Sequence, residues 1–379
     1  MLFWILLAVV VVSALISKRL CAGASSARVF GSLFWALILS VGISAWFFLK
    51  KYDSFGHASL WQLTALVFHY FCLLLPILFL GFYWAFMRIR RRQKAHVGTP
   101  AYLISTVMLS LMLGLLVASI YASKIEPNLI EVTHTDINTP YLKAGAPPLK
   151  IVQLSDLHID EFGYRERKTL QIVERLKPDI IVLTGDYTNH SEKYPDVQRF
   201  MKGLHAKYGI YAVHGNWNPM PAAEKFFEGT VVHVLQDRSA VIQTESGRVV
   251  IAGIFWYSIR EAGRALAGVN TRDSYVILLS HMPDAALYSP KSVDLVLSGH
   301  THGGQVRLPF IGPLITYSQV GRARSAGMSK LENGGYLYVN RGLGMEGGGA
   351  PRIRFLCRPE ISVLTIHPER KVNGIPGGR

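Results

Sequence analysis

The sequence predicts an α/β layered domain preceded by an all-α, four-helix transmembrane module. Three observations carry this. Four long apolar runs fill the first third of the chain, at 2–17, 29–49, 60–87 and 101–122. Beyond them, short β-branched runs alternate with helical spacing, the pattern of buried strands and covering helices. Charge is also scarce: 17% of the 379 residues are Asp, Glu, Lys or Arg, against about 25% in an average soluble chain. A single soluble globule and a disordered chain are both excluded.

The last three apolar runs are long enough to cross about 30 Å of hydrocarbon at about 1.5 Å per residue. The first is shorter and carries no charge. All four are apolar on every side, so they read as spans rather than amphipathic bundle helices. Nothing basic precedes Leu2, whereas Lys18 and Arg19 follow the run. A cleavable signal peptide has the opposite order. His69 is the one ionisable residue well inside a run, which suits an anchor and not an ion pathway.

Residues 1–122 hold 10 Lys/Arg and 1 Asp, a balance of +9; residues 123–379 hold 30 and 24, a balance of +6. Most of the excess lies between the apolar runs. Lys18, Arg19 and Arg28 occupy the first loop; Lys50, Lys51 and Asp53 the second; Arg88, Arg90, Arg91, Arg92 and Lys94 the third. Basic loops stay cytoplasmic. The large C-terminal domain is therefore expected on the extracytoplasmic side of an inner or plasma membrane. Elsewhere the basic residues are dispersed, with no aromatic-interleaved patch, so no nucleic acid is expected. Cys21, Cys72 and Cys357 are too few for a disulfide framework.

The chain thus divides into a transmembrane anchor at 1–122, a linker at 123–149, a catalytic domain at 150–367 and a flexible basic tail at 368–379. Within the domain, strands are expected at 150–155, 178–183, 209–214, 231–235, 240–243, 249–255, 275–280, 293–297, 336–340 and 361–366. Helical spacing marks 165–176 and 193–205.

Polar residues collect just after these strands. Asp156 and His158 follow the first, Gly185 and Asp186 the second, and Gly215, Asn216 and Trp217 the third. His281 follows 275–280, and Gly299, His300, Thr301 and His302 follow 293–297. In open α/β sheets, ligands bind beyond the carboxyl ends of strands. Singly, each has a bland reading: a helix cap, a turn, a satisfied core histidine. Five in order have no packing explanation. Three oxygen donors and four imidazoles exceed one tetrahedral zinc. They suit two divalent ions, Mn, Fe or Zn, sharing a bridging carboxylate about 3.5–4 Å apart.

These motifs, Asp156-x-His158, Gly185-Asp186, Gly215-Asn216, His281 and Gly299-His300-Thr301-His302, resemble the calcineurin-like metallophosphoesterase superfamily. The block 299–305 and Asn340-Arg341-Gly342-Leu343-Gly344 are similar to its membrane-anchored branch. The resemblance covers about residues 148–367. It implies a layered β-sandwich, two packed sheets flanked by helices, with two metals at the sheet edges. It implies that Asp156, His158, Asp186 and His302 hold one metal and that Asp186, Asn216, His281 and His300 hold the other. Asp186 would bridge, and a metal-bound hydroxide would attack phosphorus in line.

One position departs. Trp217 stands where the family usually has the histidine that protonates the leaving oxygen. An alkoxide leaving group needs that proton; a phosphate leaving group, with a pKa of about 6, needs little. The expected substrate is therefore a pyrophosphate or an activated diester. A site tethered to a bilayer meets lipids at high local concentration, so a lipid-linked substrate is expected. His190 and His214 are candidate replacement acids, and Trp217 reads as a packing lid. Arg322, Arg324 and Arg341 are candidate substrate-phosphate ligands. Arg322 and Arg324, with Lys330, also suit anionic membrane-lipid headgroups. The run 307–315 reads either as an apolar lip toward lipid or as a core strand and turn. Two alternatives stand beside this reading. One is hydrolysis of UDP-2,3-diacylglucosamine in lipid A synthesis, which requires a cytoplasmic domain. The other is a non-catalytic membrane sensor or scaffold with a relict site, for which Trp217 is the only support.

Overall fold

A computed structural model of the chain describes residues 2–21, 25–53, 63, 66–89, 99–217, 225–346 and 352–369. Arg90, Arg91, Arg92 and Lys94 of the third loop, and residues 370–379 of the tail, lie outside the described residues. The chain divides into two compact units, parted between Ile125 and Glu126.

The first unit holds the helices Leu2–Cys21, Ser26–Asp53, Leu75–Ile89 and Thr99–Ile120. A π-helical segment, Phe68–Leu74, leads into the third and contains His69. Three stretches, Ser26–Lys51, Phe68–Arg88 and Thr99–Asn128, are long and apolar enough to cross a membrane. One buried cluster draws Leu20, Leu33, Phe79, Tyr83 and Leu109 from all four helices. Some polar groups between the helices are paired: Tyr83 Oη lies 2.6 Å from Ser105 Oγ, and Ser119 Oγ donates to the Cys72 carbonyl at 2.6 Å, whereas the buried Ser13, Ser32 and Ser44 hydroxyls have no hydrogen-bond partner among the described residues. In hydrocarbon an unpaired polar group costs several kcal/mol.

The second unit is built on two six-stranded sheets. The first runs β1 (Glu131–Thr139), β14 (Glu360–Pro368), β2 (Leu149–Leu154), β3 (Ile180–Leu183), β4 (Ile210–Ala212), β5 (Val232–Val234). The second runs β12 (Gly327–Lys330), β13 (Tyr336–Val339), β9 (Leu295–Ser298), β8 (Tyr275–Leu279), β7 (Gly247–Gly253), β6 (Arg238–Thr244). β2 to β5 are mutually parallel, as are β7, β8, β9 and β13. Within each set the carboxyl ends therefore point one way.

Alternation along the strands sends successive side chains to opposite faces. Ile151, Ile180 and Val182 from the first sheet share a buried core with Val249, Ile251, Ile277 and Leu297 from the second. The intervening residues Val152, Leu154, Ile181 and Leu183 pack on Val173, Val197, Phe200 and Met201 of the helices Tyr164–Leu176 and Tyr194–Lys202. On the second sheet, Val250, Val276 and Val296 are covered by Ala262, Ala265 and Ala285 from short 3₁₀ turns. Strands buried on both faces are continuously apolar, which is why the sequence marks them.

The structure corrects two expectations. Residues 123–149 are not a linker: β1 pairs with β14 in parallel register from Glu131↔Glu360 to Thr139↔Pro368. As an edge strand it is only partly covered, so polar residues alternate through it and no apolar run announces it. The run 307–315 is not a core strand. It forms the short hairpin β10 (Arg307–Leu308) and β11 (Gly312–Pro313), whose turn is exposed.

Arg354 is wholly buried. Its guanidinium donates to the carbonyls of Arg341, Gly342, Gly344 and Cys357. It holds the loop 341–344 against the end of β2, where Leu343 N donates to the Ser155 carbonyl and Gly344 N to that of Asp156. Arg354→Met would leave those carbonyls without their buried donor. A destabilisation of roughly 3 kcal/mol is expected, seen as a lower thermal midpoint of the detergent-solubilised protein. An unchanged midpoint would refute this role.

Candidate metal centre

Each expected ligand sits on the turn where a strand ends. Asp156 and His158 lie beyond β2, Asp186 beyond β3, Asn216 beyond β4, His281 beyond β8, and His300 and His302 beyond β9. Five of the seven adopt left-handed backbone: Asp156 (φ 47°), His158 (φ 41°), Asp186 (φ 53°), His300 (φ 67°) and His302 (φ 51°). Such conformations cost of order 1–3 kcal/mol each and cluster at functional sites. Here they reverse the chain at each strand end so that the side chains converge.

The convergence is tight. His158 Nε2 is 3.2 Å from His302 Nε2 and 3.8 Å from Asp186 Oδ2, and His302 Nε2 is 3.5 Å from Asp156 Oδ1. On the other side, His281 Nε2 lies 3.2 Å from Asp186 Oδ2, 2.8 Å from Asn216 Oδ1 and 3.2 Å from His300 Nδ1. Asp186 Oδ2 is thus common to both groups. Asp156–His158–His302 and Asp156–Asp186–His281 each bring three ligand atoms within 4.8 Å of one another.

The donor set fits a cation. His158 Nδ1 faces the Asn189 amide oxygen at 2.9 Å, and His281 Nδ1 faces the Thr184 carbonyl at 2.8 Å. Each partner only accepts, so each Nδ1 carries a proton and Nε2 is the nitrogen that each ring turns to the cluster. A neutral His158 then turns its Nε2 lone pair to the Asp186 carboxylate at 3.8 Å, a contact that a positive ion relieves. The charge states agree. Burial pushes Asp156 up to about 6. Burial would raise Asp186 as well, but the neighbouring His281 and His158 imidazoles and the Trp217 N–H hold it below the carboxylate range. Burial lowers His300 to about 4 and His302 well below its usual value. Burial also opposes charge on His281, yet the Asp186 carboxylate lifts it to about 9. The pocket therefore demands positive charge while keeping two imidazoles neutral, the form that ligates a metal.

The remaining expected residues divide. Trp217 closes the His158 side: its backbone N–H donates to Asp186 Oδ1 at 2.9 Å and its indole N–H to the Asn189 carbonyl at 3.2 Å. Its ring stands edge-on to His158, 6.0 Å between centroids. His214 is placed among aromatic rings, against Phe227 and Phe255, with Gln236 at 2.7 Å. Burial lowers it to about 4. His190 is near Asp160 and Glu192, 3.9 Å from each. Arg341 is bound to Glu131 at 2.8 Å and Glu360 at 3.1 Å, so its charge is neutralised within the domain. Arg322 is exposed and reaches the Ile311 carbonyl on the hairpin, and Arg324, two residues on, is half-buried.

Sequence reasoning missed Asn189. It orients His158 with its amide oxygen, donates to the His158 carbonyl, and receives the Trp217 indole. Its place three residues after Asp186 was visible; its partners were not. Glu346 was missed as well. Burial and the Asp186 and Asp156 carboxylates push it up to about 7, and its backbone pairs with the Gln305 amide in both directions.

Residues 149–304 match the family model of the calcineurin-like phosphoesterases. An uncharacterized metallophosphoesterase of Bacillus subtilis is 34% identical over 260 residues, 65% of this chain and 88% of that protein. An uncharacterized metallophosphoesterase of Campylobacter jejuni is 26% identical over 358 residues, covering 89% of each chain. The UDP-2,3-diacylglucosamine pyrophosphatase LpxG of Chlamydia trachomatis is 27% identical over 309 residues, 65% of this chain and 92% of that protein. The chain belongs to the calcineurin-like metallophosphoesterase family. It is an enzyme of the phosphoric ester hydrolase class.

Gly215 shows how little room the centre leaves. A Cβ there would collide with the Asp186 carboxylate. Gly215→Ala is expected to weaken metal binding by roughly 10-fold or more, measured as metal content per folded protein at limiting metal. Full occupancy in that variant would show that Asp186 is not held as described.

Proposed function

We propose that the chain is a membrane-anchored, dinuclear-metal hydrolase acting on a pyrophosphate or activated diester bond of a lipid-linked substrate. The anchor comprises four spans within residues 2–122, and the catalytic domain, a layered β-sandwich, starts at Glu126. Asp156, His158, Asp186 and His302 hold one divalent ion; Asp186, Asn216, His281 and His300 hold the other. When bound, such ions lower the pKa of water and neutralise phosphate oxygens. Asn189 keeps His158 in the ligating tautomer. The Trp217 N–H takes Asp186 Oδ1, leaving Oδ2 to face both ligand groups.

The observation that carries the substrate reading is Trp217. Its indole N–H is already donated to Asn189, and an indole gives no proton at neutral pH. A leaving group that departs as phosphate tolerates this; an alkoxide does not. Trp217→His is therefore expected to raise turnover on alkyl phosphodiesters by roughly 10²-fold, the lower range of general acid catalysis, with little effect on pyrophosphate substrates. Equal effects on both would remove the argument.

The Chlamydia relative favours a second, narrower reading: the substrate is UDP-2,3-diacylglucosamine itself. That lipid lies on the cytoplasmic side, whereas the loop charges favour an extracytoplasmic domain. The test pairs an assay with a topology measurement. Purified full-length protein with Mn²⁺ is expected to hydrolyse UDP-2,3-diacylglucosamine or another lipid pyrophosphate, and Asp186→Asn to abolish this. Activity confined to soluble nucleotides would overturn the lipid reading. A fluorescent green fluorescent protein fused to the C-terminus, with an inactive alkaline phosphatase fusion, selects the UDP-lipid; the reverse selects an extracytoplasmic lipid pyrophosphate.

A further inference from the structure

The hairpin β10–β11 leaves the metal-ligand block directly, two residues after Gln305. Around its turn Leu308, Phe310, Ile311 and Leu314 are all exposed, Phe310 completely. Phe310 also holds left-handed backbone, φ 64°, uncommon for a bulky residue. Single exposed apolar residues are ordinary; four within seven positions at a hairpin tip form a patch.

The chain segment that carries the hairpin is cationic, and among the described residues the one carboxylate bonded just beyond it is Asp284, which accepts from Ser318 and Gln319. Residues 295–331 contain Arg307, Arg322, Arg324 and Lys330 and no Asp or Glu. Arg322 donates to the Ile311 carbonyl at 3.1 Å, which sets a guanidinium at the base of the apolar tip. An apolar wedge flanked by arginines has the composition of an element that enters an anionic bilayer interface.

The hairpin is also tied to the point where the chain leaves its apolar stretch. Arg307 N donates to the Phe355 carbonyl at 2.8 Å, and Val306 bridges Phe355. The next residues, Leu356 and Cys357, donate their N–H groups to the Glu126 carboxylate. Glu126 opens the catalytic unit and lies within the membrane-length stretch Thr99–Asn128. A surface tethered so close to a span in the chain meets the bilayer at high effective concentration.

We propose that this hairpin is a membrane-docking element: Phe310 and Ile311 enter the bilayer interface, and Arg322 and Arg324 engage anionic phospholipid headgroups. The inference goes beyond the hydrolase reading and holds whichever phosphoester is cleaved. The hairpin is linked to the metal centre too. Gly304, in the metal-ligand block, leaves no space for a Cβ against Pro313 of the hairpin.

The test uses the full chain in nanodiscs of phosphatidylcholine, with and without phosphatidylglycerol. A nitroxide at Phe310→Cys is compared with one at Val231→Cys, an apolar control that is 65% exposed. Label taken up by the native cysteines is subtracted using the unsubstituted chain. The ratio of oxygen to nickel-chelate accessibility is expected to be several-fold higher at 310 than at 231, and higher still with phosphatidylglycerol. Arg322→Glu combined with Arg324→Glu is expected to abolish the phosphatidylglycerol increment. Equal ratios at 310 and 231 overturn the proposal. So does spin–spin broadening at 310, which would assign the patch to a second copy. Shielding only after addition of a lipid substrate would assign it to the substrate's acyl chains and also overturn it. Hydrolysis of bis(p-nitrophenyl) phosphate in the same discs reports the metal centre separately.

Discussion

The organisation of the catalytic unit rests on one electrostatic constraint: two buried carboxylates and three buried imidazoles converge in two groups, the ligand atoms of each within 4.8 Å of one another. Uncompensated, such a cluster is strongly unfavourable, because burial penalises charge and like-signed groups repel. Bound cations reverse the sign of that energy. The left-handed turns at Asp156, His158, Asp186, His300 and His302 belong to the same balance. They are costly conformations that bring these residues from separate strands to one place, and coordination of a metal there would offset them. The parallel strands make this possible, since parallel neighbours end on the same side of a sheet.

Around this centre the supporting contacts are unequal in kind. Thr184 and Asn189 act on individual imidazoles by fixing which ring nitrogen is protonated. Arg354 acts at a distance by tying down the loop that packs on Asp156. Glu360 joins Thr133 on β1 to Tyr338 and Arg341 on the other sheet, so the strand β1 contributes to the same framework. Trp217 links two of these systems, holding Asp186 with its backbone and Asn189 with its ring. The indole is thus part of the scaffold of the centre.

Much of this was legible in the sequence because its signals are local. Strands buried on both faces leave continuous apolar runs, and the runs at 150–155, 178–183, 275–280 and 293–297 correspond to β2, β3, β8 and β9. The ligand residues follow those runs immediately, so their order along the chain carries their role. Elements lacking a local signal were lost. β1 has no apolar run because it lies at a sheet edge, and its partner β14 is more than 200 residues away. Asn189 carries no local signal, since its partners His158, Asp160, Trp217 and Met345 come from three different loops. Arg341 looked available for substrate, since its carboxylate partners Glu131 and Glu360 are remote in sequence.

By itself the sequence determined the composition of the chain's two parts: apolar helices long enough to cross a bilayer, and strands of which five are followed by residues with metal-ligand chemistry. Hydrophobic periodicity and residue type are properties of short windows, and they need no knowledge of the fold. Only the tertiary structure decided which donors share Asp186 Oδ2, which arginine is neutralised and which is bonded to the hairpin, and which imidazole nitrogen faces the cluster. Those outcomes depend on distances between residues far apart in the chain, and electrostatic and hydrogen-bond energies change steeply over an ångström.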